Sequence, residues 1–243
     1  MTPLEQAARA AQNAPSIFNC QPWSWRITGT SMELFADFER RIDNVDSDGR
    51  LLLLGCGTAL HHARTYLAAA GWAVTVERLP DPARPELLAR LHLGKPVPPD
   101  PEAVRMAGAI ARRRAQRRGI GNRPVTEFEL TKLRRFAESE GAGLHTVRTD
   151  EQGAVSVVLF GRGARPGDLL RAGESLSALL LLAAADGLSA TSLSDAAEVA
   201  WPRQLISDSG VPYLIVRLGY PAGREPAPAT PHHDLRDLIT LTK

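Results

Sequence analysis

A chain of 243 residues with 44% hydrophobic and 23% charged residues can bury one large core or two closely packed smaller ones. The net charge of +2 is too small to predict nucleic acid or an acidic membrane as a bulk partner. The longest apolar run, 176–185, is too short to span a bilayer. The amino terminus lacks the pattern of a signal peptide, and Cys20 and Cys56 form neither a disulfide framework nor a metal-ligand spacing. We therefore expect a cytoplasmic protein without a metal.

The amino-terminal part predicts a polar loop, a β-hairpin and one long buried helix. The loop, 14–23, is bounded by prolines and leads into two short strands, 23–28 and 32–36, joined by a glycine turn. A leucine- and alanine-rich helix then ends near Gly71, a residue able to take the left-handed conformation that closes helices. Residues 87–93 form a further strand or a short helix.

A proline-rich connector at 95–101 separates this part from the rest of the chain, because consecutive prolines continue neither a helix nor a central strand. Beyond it, Thr126 and Glu129 form the pattern of a capping box at a helix start. The predicted elements are helices at 102–117 and 126–140, strands at 144–148 and 155–160, a second buried helix, and a final strand at 212–219. Helices and strands mix without regular alternation, so the predicted class is α+β.

The two long apolar helices share a pattern. Leu-Leu-x-x-Gly-x-x-Leu begins at Leu53 and recurs 116 residues later at Leu169, and both helices end near a glycine. An internal duplication explains this, although any two alanine- and leucine-rich helices that end in glycine align in part. We predict two halves, 1–98 and 99–243, related by a pseudo-twofold axis, each with antiparallel strands flanked by helices.

Five arginines fall within the segment 112–118, far along the chain from the loop at 14–23. Guanidinium groups suit a phosphate, and the polar side chains of the loop suit the edge of a planar ring. This combination favours a flavin mononucleotide (FMN) site built from both halves. A solvated basic helix end is the alternative, and the lack of an aromatic platform disfavours nucleic acid.

Five motifs in one order resemble the nitroreductase-like flavoproteins, and the resemblance covers almost the whole chain. The motifs are Ala14-Pro-Ser-x-x-Asn-x-Gln-Pro-Trp23, Gly55-Cys-Gly-x-Ala-Leu-His-His62, Arg113-Arg-x-x-Arg117, Gly173-Glu-x-Leu-Ser-Ala178 and Ala229-Thr-Pro231. The chain is most similar to a dormancy-associated branch in which two nitroreductase-type halves are fused and some members store flavin. The resemblance implies a single FMN site, with the loop from the first half and the arginines from the second.

The resemblance and the local chemistry assign residues to that site. Arginines would bind the phosphate, loop residues the ribityl chain or ring edge, and the segment after the second buried helix the reactive ring nitrogen. The assigned residues are Arg113, Arg114, Arg117, Ser16, Asn19, Gln21, Ser192, Leu193, Ser194, His232 and His233. Local turn and cap chemistry are the alternatives for the loop and for 192–195. His61 and His62 are predicted as buried or surface histidines rather than metal ligands.

Three features depart from the family pattern. Ala115 replaces a hydroxyl residue between the arginines, and His232 and His233 replace basic residues in the tail. Only 161–167 remains of a longer lid-like segment, which implies a more open flavin face.

The function expected from the resemblance is an FMN-dependent oxidoreductase, with no catalytic side chain because the cofactor carries the chemistry. Hydride would pass from NAD(P)H to the flavin N5 and on to a small aromatic or quinone-like acceptor. A non-catalytic FMN-binding or sequestering protein is one alternative, and a degenerate flavin-free partner subunit is another. We expect a monomer or homodimer that binds neither nucleic acid nor membrane.

Overall fold

The computed structural model describes residues 1–110, 112–113, 120–149, 153–193, 210–222 and 238–242. The first sheet contains the predicted hairpin, in which β1 (Trp23–Thr28) and β2 (Ser31–Ala36) turn at Gly29 with φ 56°. Alternate residues of β1, Trp23, Trp25 and Ile27, are buried, as the period of two along a strand requires.

Three further strands complete this sheet: β3 (Trp72–Arg78), β4 (Leu87–Pro96) and β9 (Ile239–Thr242). The strand order is β3-β4-β2-β1-β9, with antiparallel pairs except for the parallel pair of β1 and β9. Residues 87–93, which the sequence left open between strand and helix, therefore lie in a strand. The strand β9 was not predicted, and it brings the far end of the chain to the first sheet.

The second sheet is antiparallel throughout and lies in the carboxyl-terminal part of the chain. Its strands are β5 (Gly143–Thr149), β6 (Val155–Gly161), β7 (Ser189–Leu193) and β8 (Val211–Gly219), in the order β5-β6-β8-β7. The α+β class and the flanking of sheets by helices are thus confirmed.

Two buried helices of equal length, α2 (Arg50–Ala69) and α5 (Pro166–Ala185), pack against each other between the sheets. Each has 20 residues, and both ends of α5 follow those of α2 by 116 residues. Left-handed glycines follow both helices, Gly71 with φ 77° and Gly187 with φ 80°. This regularity is what a duplication would produce. The duplication and the division between residues 98 and 99 stay predictions.

Three shorter helices cover the long pair: α1 (Pro3–Ala11), α3 (Pro101–Ile110) and α4 (Glu127–Glu140). The predicted capping box starts α4: the Glu129 N–H donates to Thr126 Oγ1 at 3.3 Å, and the Thr126 N–H donates to Glu129 Oε2 at 2.8 Å. The prediction that α3 continues to residue 117 is wrong at Arg112 and Arg113, which the structure describes as a turn and an irregular residue beyond the helix, and 114–117 lie outside the described residues.

One apolar core connects the sheets and helices. It runs from Leu4 and Trp25 through Leu60 and Leu176 to Leu218, so side chains from both parts of the chain share it. In the described part of the chain, no helix is both long enough and apolar enough to cross a membrane.

Candidate flavin site

The loop before β1 holds three non-glycine residues in the left-handed region: Phe18 with φ 45°, Asn19 with φ 58° and Gln21 with φ 46°. Side chains other than glycine adopt this conformation at a cost, so the surrounding contacts must hold it. The Gln21 N–H donates to Ser16 Oγ at 2.9 Å, and its side-chain amide donates to the Gln12 carbonyl at 3.0 Å. The loop is therefore a fixed structure with Gln21 fully buried inside it.

One face of α2 packs against the loop. Gly55, Thr58 and His62 lie three and four residues apart and so share that face. A Cβ at Gly55 would lie 3.4 Å from Ser16 Cβ, an ordinary contact distance, so the loop packs directly on this face. The Thr58 hydroxyl donates to the Pro15 carbonyl at 2.7 Å.

Arg113 follows the connector at 95–101 in the sequence and contacts the start of the same loop. Its Nη2 donates to the Asn13 carbonyl at 3.0 Å, across 100 residues of sequence. Its Nε is buried and has no hydrogen-bond partner within the described residues. Burial lowers the pKa of Arg113 to about 10, and no carboxylate in the described residues pairs with it. Arg113 is thus a half-buried cation that has no counter-ion among the described residues, and its Nε is shielded from water.

A buried polar cluster lies behind Arg113, where α2 meets α5. Ser177 Oγ lies 2.7 Å from His61 Nδ1 and 2.8 Å from His62 Nδ1. Burial lowers the pKa of His61 to about 3, and burial together with the nearby Arg113 charge holds the pKa of His62 well below its ordinary value. Both imidazoles are therefore neutral. Of the two predicted alternatives, a buried or a surface histidine, the structure shows the buried one for both.

The structure brings four predicted site residues together: Ser16, Asn19, Gln21 and Arg113 meet at the loop and its start. Ser192 and Leu193 form the end of β7, an edge strand, where their backbones pair with Val216 and Ile215 of β8. The remaining predicted residues, Arg114, Arg117, Ser194, His232 and His233, lie outside the described part of the chain.

Comparison with known proteins places the chain among oxidoreductases. It is 31% identical to "Putative NAD(P)H nitroreductase Rv3131" of Mycobacterium tuberculosis H37Rv, with 94% of this chain and 88% of the relative aligned. The chain belongs to the nitroreductase family. A second relative from the same organism, "Putative NAD(P)H nitroreductase acg", is 28% identical over 97% of this chain and 95% of its own length. No protein-family profile matches the chain.

Two solved nitroreductase structures are similar in part to this family member. An NADH dehydrogenase/NAD(P)H nitroreductase of Parabacteroides distasonis matches 54% of this chain and 94% of its own, with 18% identity and a TM-score of 0.44. A nitroreductase of Desulfovibrio desulfuricans in complex with FMN matches 54% and 92%, with 17% identity and a TM-score of 0.42.

Membership of the nitroreductase family confirms the resemblance found in the motif order and the expected oxidoreductase class. The fused two-half branch and the shortened lid at 161–167 stay predictions.

Sequence reasoning assigned to the candidate site neither Asn13 nor Thr58, which contact Arg113 and the loop, nor His62, which lies one turn along α2 from Thr58. Asn13 binds Arg113 through its backbone carbonyl, which leaves no trace in residue type. Thr58 and His62 lie within a motif that carried the resemblance, and their spacing of four residues on a helix was the available signal.

Proposed function

We propose that this protein is an FMN-dependent NAD(P)H oxidoreductase of nitroreductase type. The observation that carries the proposal is the half-buried Arg113 side chain beside the loop at 14–22, whose buried Nε has no partner and whose charge has no carboxylate counter-ion among the described residues. A desolvated cation is costly unless an anion pairs with it. A phosphate would supply both the charge and an acceptor for the unpartnered Nε.

The residues present fit an FMN in this place. Arg113 would bind the phosphate, with Arg114, Arg117, His232 and His233 proposed as further phosphate residues. The loop residues Ser16, Asn19 and Gln21 would shape the ribityl and ring side, and 192–194 would approach the reactive edge. Since Gln21 is fully buried, its role is to hold the loop in its left-handed conformation.

When bound, FMN supplies the hydride chemistry between NAD(P)H and a small aromatic or quinone-like acceptor. The chain contributes position and charge, because the fixed loop and the arginine orient the ligand before any reaction. Because FMN supplies the chemistry and the chain the position and charge, no side chain is required as a general acid or base.

We further propose that two nitroreductase-like halves, 1–98 and 99–243, build one site, with a short lid at 161–167. The contact of Arg113 with Asn13 joins the halves at the proposed phosphate position. The constant displacement of 116 residues between α2 and α5 also supports this arrangement. Cytoplasmic localisation and a monomeric or homodimeric state stay predictions from the sequence.

The visible spectrum of the purified protein, before and after addition of FMN, tests the proposal. We expect a bound flavin in a ratio of one per chain, which NADH or NADPH bleaches under anaerobic conditions and a quinone restores. A bound flavin that neither nicotinamide reduces would favour the flavin-storing alternative. A chain that binds no FMN would favour the flavin-free partner subunit and overturn the proposal.

A further inference from the structure

His62 has a buried ring nitrogen, Nε2, without a hydrogen-bond partner among the described residues. Its other ring nitrogen, Nδ1, lies 3.0 Å from the Thr58 carbonyl oxygen. Because a carbonyl only accepts, Nδ1 carries the hydrogen. The neutral ring has a single N–H, so Nε2 presents a lone pair and requires a donor.

The neighbouring groups hold His62 in this tautomer. A serine hydroxyl has one hydrogen, and Ser177 Oγ lies between the Nδ1 atoms of both histidines. The single Nδ1–H of His62 is shared between the Thr58 carbonyl and Ser177 Oγ, so the Ser177 hydrogen is left to donate to His61 Nδ1. The hydrogen of His61 is then on Nε2, which lies 3.8 Å from the Glu140 carboxylate. The two imidazoles are thus held in opposite tautomers.

An unpartnered donor, Arg113 Nε, belongs to a cation near enough to His62 to help lower the pKa of its imidazole. His62 is one turn along α2 from Thr58, whose hydroxyl binds the Pro15 carbonyl. Arg113 binds the carbonyl of Asn13, two residues before Pro15, and its buried Nε–H also lacks a partner among the described residues. Near the start of the loop there is therefore a hydrogen-bond acceptor on α2, His62 Nε2, and a cationic hydrogen-bond donor beyond the connector, Arg113 Nε.

This pair of atoms selects a ligand chemistry. A carboxylate or a fully ionised phosphate would satisfy Arg113 but has no hydrogen for His62 Nε2. A hydroxyl group donates to the imidazole, and an adjacent anionic group pairs with the guanidinium. A polyol phosphate combines both, and the ribityl phosphate of FMN is such a group.

We propose that His62 is a ligand-binding residue whose Nε2 accepts a hydrogen bond from a ribityl hydroxyl of FMN, next to the phosphate on Arg113. The inference rests on the proposed function. It gives a role to a histidine that otherwise leaves a buried polar atom without a partner among the described residues.

The binding of three flavins tests whether His62 contacts the ribityl chain. The first is FMN. The second is riboflavin, which lacks the phosphate, and the third is lumiflavin, which also lacks the ribityl chain. The test variant is His62→Asn, because the asparagine amide keeps a donor near the Nδ1 position and removes Nε2. His61→Asn is the matched control, since His61 is the adjacent buried histidine and the asparagine oxygen can still accept the Ser177 hydroxyl hydrogen that sets the His62 tautomer.

We expect His62→Asn to weaken both FMN and riboflavin about fivefold to tenfold, the effect of one lost hydrogen bond, and to leave lumiflavin unchanged. His61→Asn should change none of the three affinities by more than about twofold. Flavin fluorescence quenching measures all the dissociation constants. Unchanged riboflavin affinity in His62→Asn, or an equal loss for lumiflavin, would overturn the inference.

A second measurement uses the unaltered protein and so does not depend on a variant that folds. The ¹⁵N resonance of His62 Nε2 should stay that of an unprotonated nitrogen and move upfield when FMN or riboflavin binds, but not with lumiflavin. A resonance that does not move when riboflavin binds would overturn the inference and would favour an internal water as the partner of His62 Nε2.

The two proposals fail in different ways. Failure of the unaltered protein to bind any flavin overturns the proposed function and this inference together. Tight flavin binding with no response at His62 overturns this inference alone.

Discussion

Gly57 of α2 and Gly173 of α5 meet where the two helices cross. A Cβ at Gly57 would lie 2.1 Å from the Leu170 carbonyl oxygen, and a Cβ at Gly173 would lie 2.1 Å from that of Leu54. Each would also lie 2.8 Å from the Cα of the facing glycine. The contacts are reciprocal and every partner is displaced by 116 residues, as a pseudo-twofold axis through the crossing would produce.

Alanine at either glycine should therefore force the helices apart. We expect Gly57→Ala and Gly173→Ala each to lower the free energy of unfolding by about 2–3 kcal/mol, measured by urea denaturation. Gly108→Ala in α3 is the control, because the nearest atom to its Cβ would be the end of the Arg112 side chain at 3.8 Å. That variant should gain up to about 1 kcal/mol from helix propensity. Wild-type stability in Gly57→Ala would contradict the close crossing.

Glu174 is a fully buried carboxylate that accepts from Arg78 Nε at 2.7 Å and from Arg64 Nη1 at 2.5 Å. Glu174→Gln would leave the half-buried Arg78 cation with no carboxylate partner among the described residues, so we expect a loss of about 3 kcal/mol in the free energy of unfolding. Glu102→Gln, which breaks a more exposed pair with Arg105, should cost less than about 1 kcal/mol. Equal losses in the two variants would argue against a structural role for the buried network.

His61 and His62 should make the protein less stable in mild acid. Both pKa values are lowered in the folded chain, that of His61 to about 3, so below the ordinary pKa of 6.5 the unfolded chain binds more protons. Stability is thus fully present above that pH and is lost as the pH falls. His61 should cost about 2 kcal/mol at pH 5, and His62 should add a loss in the same direction.

Urea denaturation at pH 7 and pH 5 measures this loss. In His61→Asn the difference between the two pH values should shrink by about 2 kcal/mol, because one buried imidazole is absent. His145→Asn removes an exposed imidazole on β5 and should keep the wild-type difference. A wild-type loss that survives in His61→Asn would mean that other groups cause it.

Arg113→Ala should weaken FMN about tenfold to a hundredfold and change riboflavin little, because a charge-assisted bond to phosphate is lost. Arg112→Ala is the control, since Arg112 is its exposed neighbour. Isothermal titration with both flavins decides the matter. If both flavins weaken alike, Arg113 acts by holding the loop through Asn13 instead.

Much of the local structure was predictable because neighbouring residues determine it. The hairpin of β1 and β2, the capping box at Thr126 and the glycines after α2 and α5 follow from turn, cap and period chemistry within a few residues. The order of motifs was likewise sufficient to recognise the family.

Contacts between distant segments were decided only by the tertiary structure. The sequence predicted neither the pairing of β9 with β1 nor the position of Ser177 between His61 and His62. Backbone carbonyls such as that of Asn13 are common to all residues, so no residue type marks them as partners. Sequence alone determined which elements form and which family the chain resembles. The fold decided which polar atoms are buried and left without partners, because burial depends on every segment that packs around them.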